Sequence, residues 1–154
     1  MNTMNLPTNY EYFERKSKNS IETLLTEHGS YMIGIDYLRD QLKTYDFGFI
    51  HRAQTIIHSF VLCKLNTDFS DVDILLVCSR PQTNDGSIML EFVHEKASRL
   101  GLVSMSLIFI EYGNTGLLNW YKSHGFLVQS YKQYKDKPQI NVYYMRKKVY
   151  RSRS

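Results

Sequence analysis

Asn114 and Tyr121 stand seven positions apart, two turns of an α-helix, so a helix beginning near Asn114 puts both side chains on one face. A tyrosine phenol can donate a proton, and an asparagine amide can bridge backbone groups where strands part. The same pair can equally be a helix N-cap and a packing tyrosine. A second segment, Val77 to Leu90 (VCSRPQTNDGSIML), runs from an apolar stretch through a short polar loop into a helical pattern. The first amides of such a helix lack internal acceptors and the helix dipole is positive there, which suits an anion. Gly86 and Ser87 are small enough for close approach, and Arg80 adds a positive charge. Against this, Asp85 or Ser87 can simply cap the helix.

The elements that must hold these segments follow from periodicity. Residues 8–16 read as a short edge strand. Ser20 reads as the N-cap of a helix with an apolar stripe of Ile21, Leu24 and Leu25, closed by Gly29. A second helix runs through Ile35, Leu38 and Leu42. The period then becomes two, with one strand around Phe47 and Phe49, a longer one over 55–65 and a third over 71–78. A helix carrying Met89, Phe92, Val93 and Ala97 follows and stops at Gly101. Residues 103–110 are nearly all apolar, as in a strand covered on both faces. A helix from Asn114 to Gly125 leads to strands over 126–134 and 140–149. Strands joined by short turns pair antiparallel, whereas the β-α-β unit over 71–110 requires a right-handed crossover and parallel strands. The reading is α/β, a mixed, mostly antiparallel central sheet with helices on both faces, in a single domain over 1–154.

Composition narrows the function classes. The chain has 154 residues, 43% hydrophobic and 22% charged, enough apolar surface to offset the ordering entropy of one core. Eight Gly and three Pro without a period exclude a fibrous chain. The longest largely apolar stretches, with an occasional Ser or His inside them, are about seven or eight residues, against about 20 for a membrane span. MNTMNLPTNY lacks the basic start and apolar core of a secretory leader. Cys63 and Cys78 sit in apolar runs and read as buried, reduced thiols, which points to the cytoplasm. The five histidines are scattered, so no metal site is expected. The net charge is +4 and the pI about 9.0. The basic C-terminal residues Arg146, Lys147, Lys148, Arg151 and Arg153 read as a solvated strand end sooner than as a nucleic-acid surface.

Together the two segments resemble the GNAT superfamily of acyl-CoA-dependent N-acetyltransferases, most clearly over residues 45–149. Asn114, Leu117, Trp120, Tyr121, Gly125 and Phe126 fall in register on its motif N-x-x-(A or similar)-x-x-(L)-Y-x-x-x-G-F, with Leu117 and Trp120 at its two looser positions. Val77 and Gln82 have the separation of its other motif, a strand ending in Val and then (Q/R)-x-x-G-x-(G/A). Within Gln82-Thr83-Asn84-Asp85-Gly86-Ser87, Asp85 stands where the first Gly is expected and Ser87 where Gly or Ala is usual.

The resemblance implies a sheet with a splayed parallel strand pair that grips acetyl-CoA as co-substrate. By position, Leu75, Leu76 and Val77 would pair with the pantetheine arm. The amides of Gln82, Thr83, Asn84, Asp85, Gly86 and Ser87 would hold the pyrophosphate, with Asn114 and Tyr121 completing the cofactor site. Tyr121 occupies the position of the acid that protonates the leaving thiolate. Asp71 and Glu111 are candidates for the base that deprotonates the amine, and Asp73 shares the strand face of Asp71. The acceptor, a small-molecule or protein amine, would be shaped by residues 20–45 and 129–140, where Glu22, Glu27, Asp36 and Asp40 could attract a cation. Association as a homodimer is open. A carboxylate at Asp85 would repel a pyrophosphate unless it turned away, so a non-catalytic CoA-binding module of the same fold is the alternative.

Overall fold

Period-two segments form seven strands and period-3.6 segments four helices among the described residues. The computed structural model describes residues 4–28, 35–80, 84–112, 116–134 and 136–150. In chain order the elements are β1 (Tyr10–Tyr12), α1 (Lys18–His28), α2 (Ile35–Leu42), β2 (Phe47–Ala53), β3 (Ile56–Asn66), β4 (Asp71–Ser79), α3 (Asp85–Arg99), β5 (Ser104–Tyr112), α4 (Leu117–Ser123), β6 (Leu127–Tyr134) and β7 (Lys137–Lys148). The sheet order is β1-β2-β3-β4-β5-β7-β6. Among the described residues only β4 and β5 run parallel; the other neighbours are antiparallel.

Each face of the sheet has its own apolar layer. On one, Ile21, Leu24 and Leu25 of α1 and Leu38 and Leu42 of α2 pack on Ile50, Phe60, Leu62, Leu76 and Cys78. On the other, Met89, Leu90, Phe92, Val93 and Ala97 of α3 pack on Phe49, Val61, Cys63, Val72, Ile74, Met105 and Leu107. Each fully buried side chain of this kind contributes about 1.5–3 kcal/mol. Cys63 and Cys78 are both buried and unpaired, one in each layer. Among the described residues no helix is long and apolar enough to cross a membrane.

Two local readings change. Ser20 lies inside α1 rather than at its cap, because a one-turn 3-10 helix at Arg15–Ser17 leads the chain straight into α1 at Lys18. The Arg52 guanidinium donates to the Ser17 hydroxyl at 2.8 Å and anchors that turn. The β6–β7 connection is also tighter than expected, since β7 already begins at Lys137. Gly29, the expected end of α1, falls outside the described residues.

Candidate active site

β4 and β5 start side by side and then part. Their ladder runs from Asp71 with Ser104 to Ile74 with Leu107, although β4 continues to Ser79 and β5 to Tyr112. β3 follows β4 to its end, at Ser59 with Ser79, and β7 follows β5 to its end, at Ile140 with Tyr112. Each strand keeps its outer neighbour and loses its inner one, so residues 75–79 and 108–112 border a gap through the sheet.

Leu75 is where the strands diverge. Leu62 pairs with Leu76 and Cys63 with Ile74, so Leu75 is the extra residue of a β-bulge. A bulge bends its strand and strengthens the twist. It also exchanges the faces of β4: Val72 and Ile74 lie under α3, whereas Leu76 and Cys78 lie under α1 and α2. The Leu75 carbonyl accepts a hydrogen bond from the Tyr37 hydroxyl of α2 at 3.1 Å. Backbone groups along the gap call for partners, which an extended amide-bearing chain can provide as an added strand does.

α3 begins on one side of this gap, and its first turn is heavily engaged. Asn84 precedes it without a side-chain cap bond. Asp85 is buried, with 5% of its surface exposed. Its carboxylate accepts from the Tyr10 hydroxyl at 2.9 Å and from His51 Nδ1 at 2.7 Å, so it turns toward β1 and β2. A Cβ on Gly86 would lie 3.2 Å from the Trp120 indole of α4; the small residue lets Trp120 close on α3. The Ser87 hydroxyl lies 2.7 Å from His124 Nε2. Arg80 reaches Glu27 of α1 at 3.6 Å. Gln82, Thr83 and Asn114 lie outside the described residues.

On the far side of the gap, Tyr121 of α4 packs its ring on Phe109 at 5.0 Å and against Phe126 at 5.9 Å. Burial pushes its phenol up to about 12, so it stays protonated and able to donate at physiological pH. Glu111 is buried and faces the same side as Phe109, two residues along β5. Its charge helps to raise the Tyr143 phenol, after burial, and Tyr143 in turn stacks on Phe109 at 5.0 Å.

Asp71 sits elsewhere. It stands at the first pair of the parallel ladder, not at the gap. Its carboxylate accepts from the Ser104 hydroxyl at 2.7 Å and from Ser106 at 2.5 Å, which ties β4 to β5 where they are paired. Asp73, on the same face and nearer the gap, is half-buried, and burial followed by the charge of Asp71 raises its pKa. Its charge contributes, after burial, to raising Tyr37. On β5 this face carries Ile108, 65% exposed. The acids expected to draw a cation are largely committed: Glu22 pairs with Arg39 at 3.0 Å, Asp40 with Lys43 at 3.4 Å and Glu27 with Arg80 at 3.6 Å.

Tyr10, His51 and Tyr37 had no assigned role in the sequence. Tyr10 and His51 lie 75 and 34 residues from Asp85, so no spacing pattern could link them. Tyr37 lies within residues 20–45, the segment expected to shape the acceptor site, and that placement is the one signal that pointed toward it.

No family model matches the sequence, and no curated protein matches it. Solved structures do match. The ribosomal-protein-S18-alanine N-acetyltransferase from Escherichia coli superposes with TM-score 0.76 at 11% identity, over 94% of this chain and 96% of its own. An aminoglycoside 6'-N-acetyltransferase complexed with coenzyme A gives 0.74 at 10% identity, over 94% and 99%. A GNAT-family acetyltransferase from Streptococcus pneumoniae gives 0.69 at 18% identity, over 92% and 98%. The chain therefore has the GNAT fold, with its mixed sheet and single parallel pair, over nearly its whole length.

Proposed function

We propose that the protein is an N-acetyltransferase that moves an acetyl group from acetyl-CoA to a primary amine by direct attack. The observation that carries this reading is the parting of β4 and β5 after four paired residues, with the start of α3 and Tyr121 on its borders. The main-chain groups of Leu75, Leu76 and Val77 suit an extended pantetheine arm, and the first-turn amides at Gly86 and Ser87 suit a diphosphate. Gln82, Thr83, Asn84, Asp85 and Asn114 belong to the same proposed cofactor site. The thioester supplies the activated acyl group.

Tyr121 is the proposed acid. A phenol with its pKa near 12 serves best as a hydrogen-bond donor to the developing thiolate, stabilising charge as it forms. A lysine-like amine of pKa about 10.4 is neutral in only about 1 in 10³ molecules at pH 7, so a base near the gap helps. Glu111 fits that task, on the same side of the sheet as Tyr121. Asp71 is better read as the strut that closes the paired end. Asp73 faces the other side, where Tyr37 and the exposed Ile108 offer a surface for the acceptor; the relatives above act on a ribosomal protein's alanine and on an aminoglycoside.

The test is thiol release from acetyl-CoA over a panel of polyamines, aminoglycosides and peptides with free amino groups. Amine-dependent release supports the proposal. Acetyl-CoA at 100 times its Kd should also stabilise the fold by about 2.7 kcal/mol. Absence of both release and stabilisation at millimolar acetyl-CoA rejects the reading. Asp85, standing where the family pattern has glycine, motivates the alternative, a CoA-binding module without turnover, which predicts stabilisation with no release.

A further inference from the structure

We propose that Tyr10 and His51 are positioning residues of the cofactor site, acting through Asp85 to fix the first turn of α3. This rests on the reading of that turn as the diphosphate cradle. Asp85 is the first residue of α3, at a position where the family pattern has glycine. Both of its carboxylate oxygens are engaged from strands at the sheet edge, by Tyr10 of β1 at 2.9 Å and His51 of β2 at 2.7 Å. Those two donors brace one another: their rings stack at 4.3 Å with an interplanar angle of 11°. Tyr10 touches α3 a second time, edge-on to Phe92 at 5.2 Å.

A buried carboxylate is costly unless its lone pairs are satisfied. Here they are satisfied from β1 and β2, so the departure from glycine does not present a bare charge to the cofactor. The bonds instead anchor the helix start to β1 and β2, and β1 gains a function beyond covering the sheet edge. Tyr10 remains a donor throughout the physiological range, its phenol pushed up to about 12 by burial and then by its bond to Asp85. The inference reverses the simple expectation for Asp85→Gly. Restoring glycine removes the anchor, so affinity for acetyl-CoA falls.

The experiment compares the full chain with Asp85→Gly, Asp85→Asn, His51→Ala and Tyr10→Phe, using acetyl-CoA as the probe. We expect Asp85→Gly and His51→Ala to weaken calorimetric binding and to raise KM for acetyl-CoA by about tenfold, with a much smaller change in kcat at saturation. Asp85→Asn, which can still accept from Tyr10, should recover part of the loss. Hydrogen exchange in the first turn of α3 should quicken in Asp85→Gly and His51→Ala without cofactor present. Equal or tighter acetyl-CoA binding by Asp85→Gly overturns the proposal. Unchanged exchange overturns the anchor itself. A wild-type chain that binds no acetyl-CoA, yet shows the exchange difference, rejects the cofactor reading while leaving the anchor standing.

Discussion

Ser87 and His124 join the two sides of the strand gap, with Oγ and Nε2 2.7 Å apart. Ser87 belongs to the helix that follows β4, and His124 ends the helix that follows β5. His124 Nδ1 faces the Trp120 carbonyl at 2.8 Å. A carbonyl only accepts, so Nδ1 carries the hydrogen, and Nε2 accepts from the serine hydroxyl. The bond therefore fixes the imidazole tautomer and clamps α4, with Tyr121, against α3. Ser87→Ala and His124→Ala should each cost about 0.5–1.5 kcal/mol in urea denaturation. The double variant should cost less than the sum of the two. Full additivity would show that the contact contributes nothing.

Asp71 makes the opposite kind of prediction. Its carboxylate takes hydrogen bonds from Ser104 and Ser106, and Arg146 adds a bond to the Ser104 hydroxyl at 3.1 Å. Hydrogen bonds to a charged group are worth about 1.5–3 kcal/mol each, and removing the acceptor strands two buried hydroxyls. Asp71→Ala should therefore lower Tm strongly, and Asp71→Asn less. Turnover per folded molecule should change little in Asp71→Asn. A loss of turnover larger than the loss of folded protein would restore Asp71 as the base.

These two sites mark where the sequence was legible. The strand and helix order followed from periodicity because each element is a local pattern. The parallel crossover followed from the spacing of 71–110. The bulge did not: Val72, Ile74, Leu76 and Cys78 alternate without a break, and only the two separate apolar layers reveal that the strand changes faces between Ile74 and Leu76. A chain apolar on both faces conceals such a switch. Asp85 was legible as a departure from a family pattern but not as a buried, hydrogen-bonded group, because its partners are distant in the sequence. The strand gap was expected from the resemblance alone, and pairing geometry made it concrete.

Asp73 carries a stability cost with a definite pH signature. Burial and the neighbouring Asp71 raise its pKa above 3.8. The folded state then holds the proton more tightly than the unfolded chain, so stability declines as pH rises from about 3.8 through the raised value. Asp73→Asn should raise Tm at pH 7, and that gain should vanish below pH 3.8, as a thermal series over pH 3 to 7 will show. A carboxylate kept at such cost beside the gap suits a role toward the acceptor amine, so the same variant should raise KM for the amine. A neutral variant that is no more stable at pH 7 would remove this argument.

Tyr121 is tested by both stability and rate. Its phenol is raised from 10.0 to about 12 by burial. The folded state retains the proton after the unfolded chain has lost it, so the sign is again a loss of stability with rising pH, here between pH 10 and 12. Tyr10, also raised to about 12, adds to the same decline. Tyr121→Phe removes one titrating group and should flatten this alkaline limb. In turnover the phenyl ring preserves the packing on Phe109 and Phe126 while deleting the donor. We expect kcat to fall by about 10²-fold or more, the scale for loss of a positioned proton donor, with KM for acetyl-CoA within about threefold of wild type. The alkaline limb of the kcat profile below pH 11 would then belong to another group. Wild-type turnover in Tyr121→Phe would leave the phenol as packing alone and transfer the donor role to a main-chain amide at the gap.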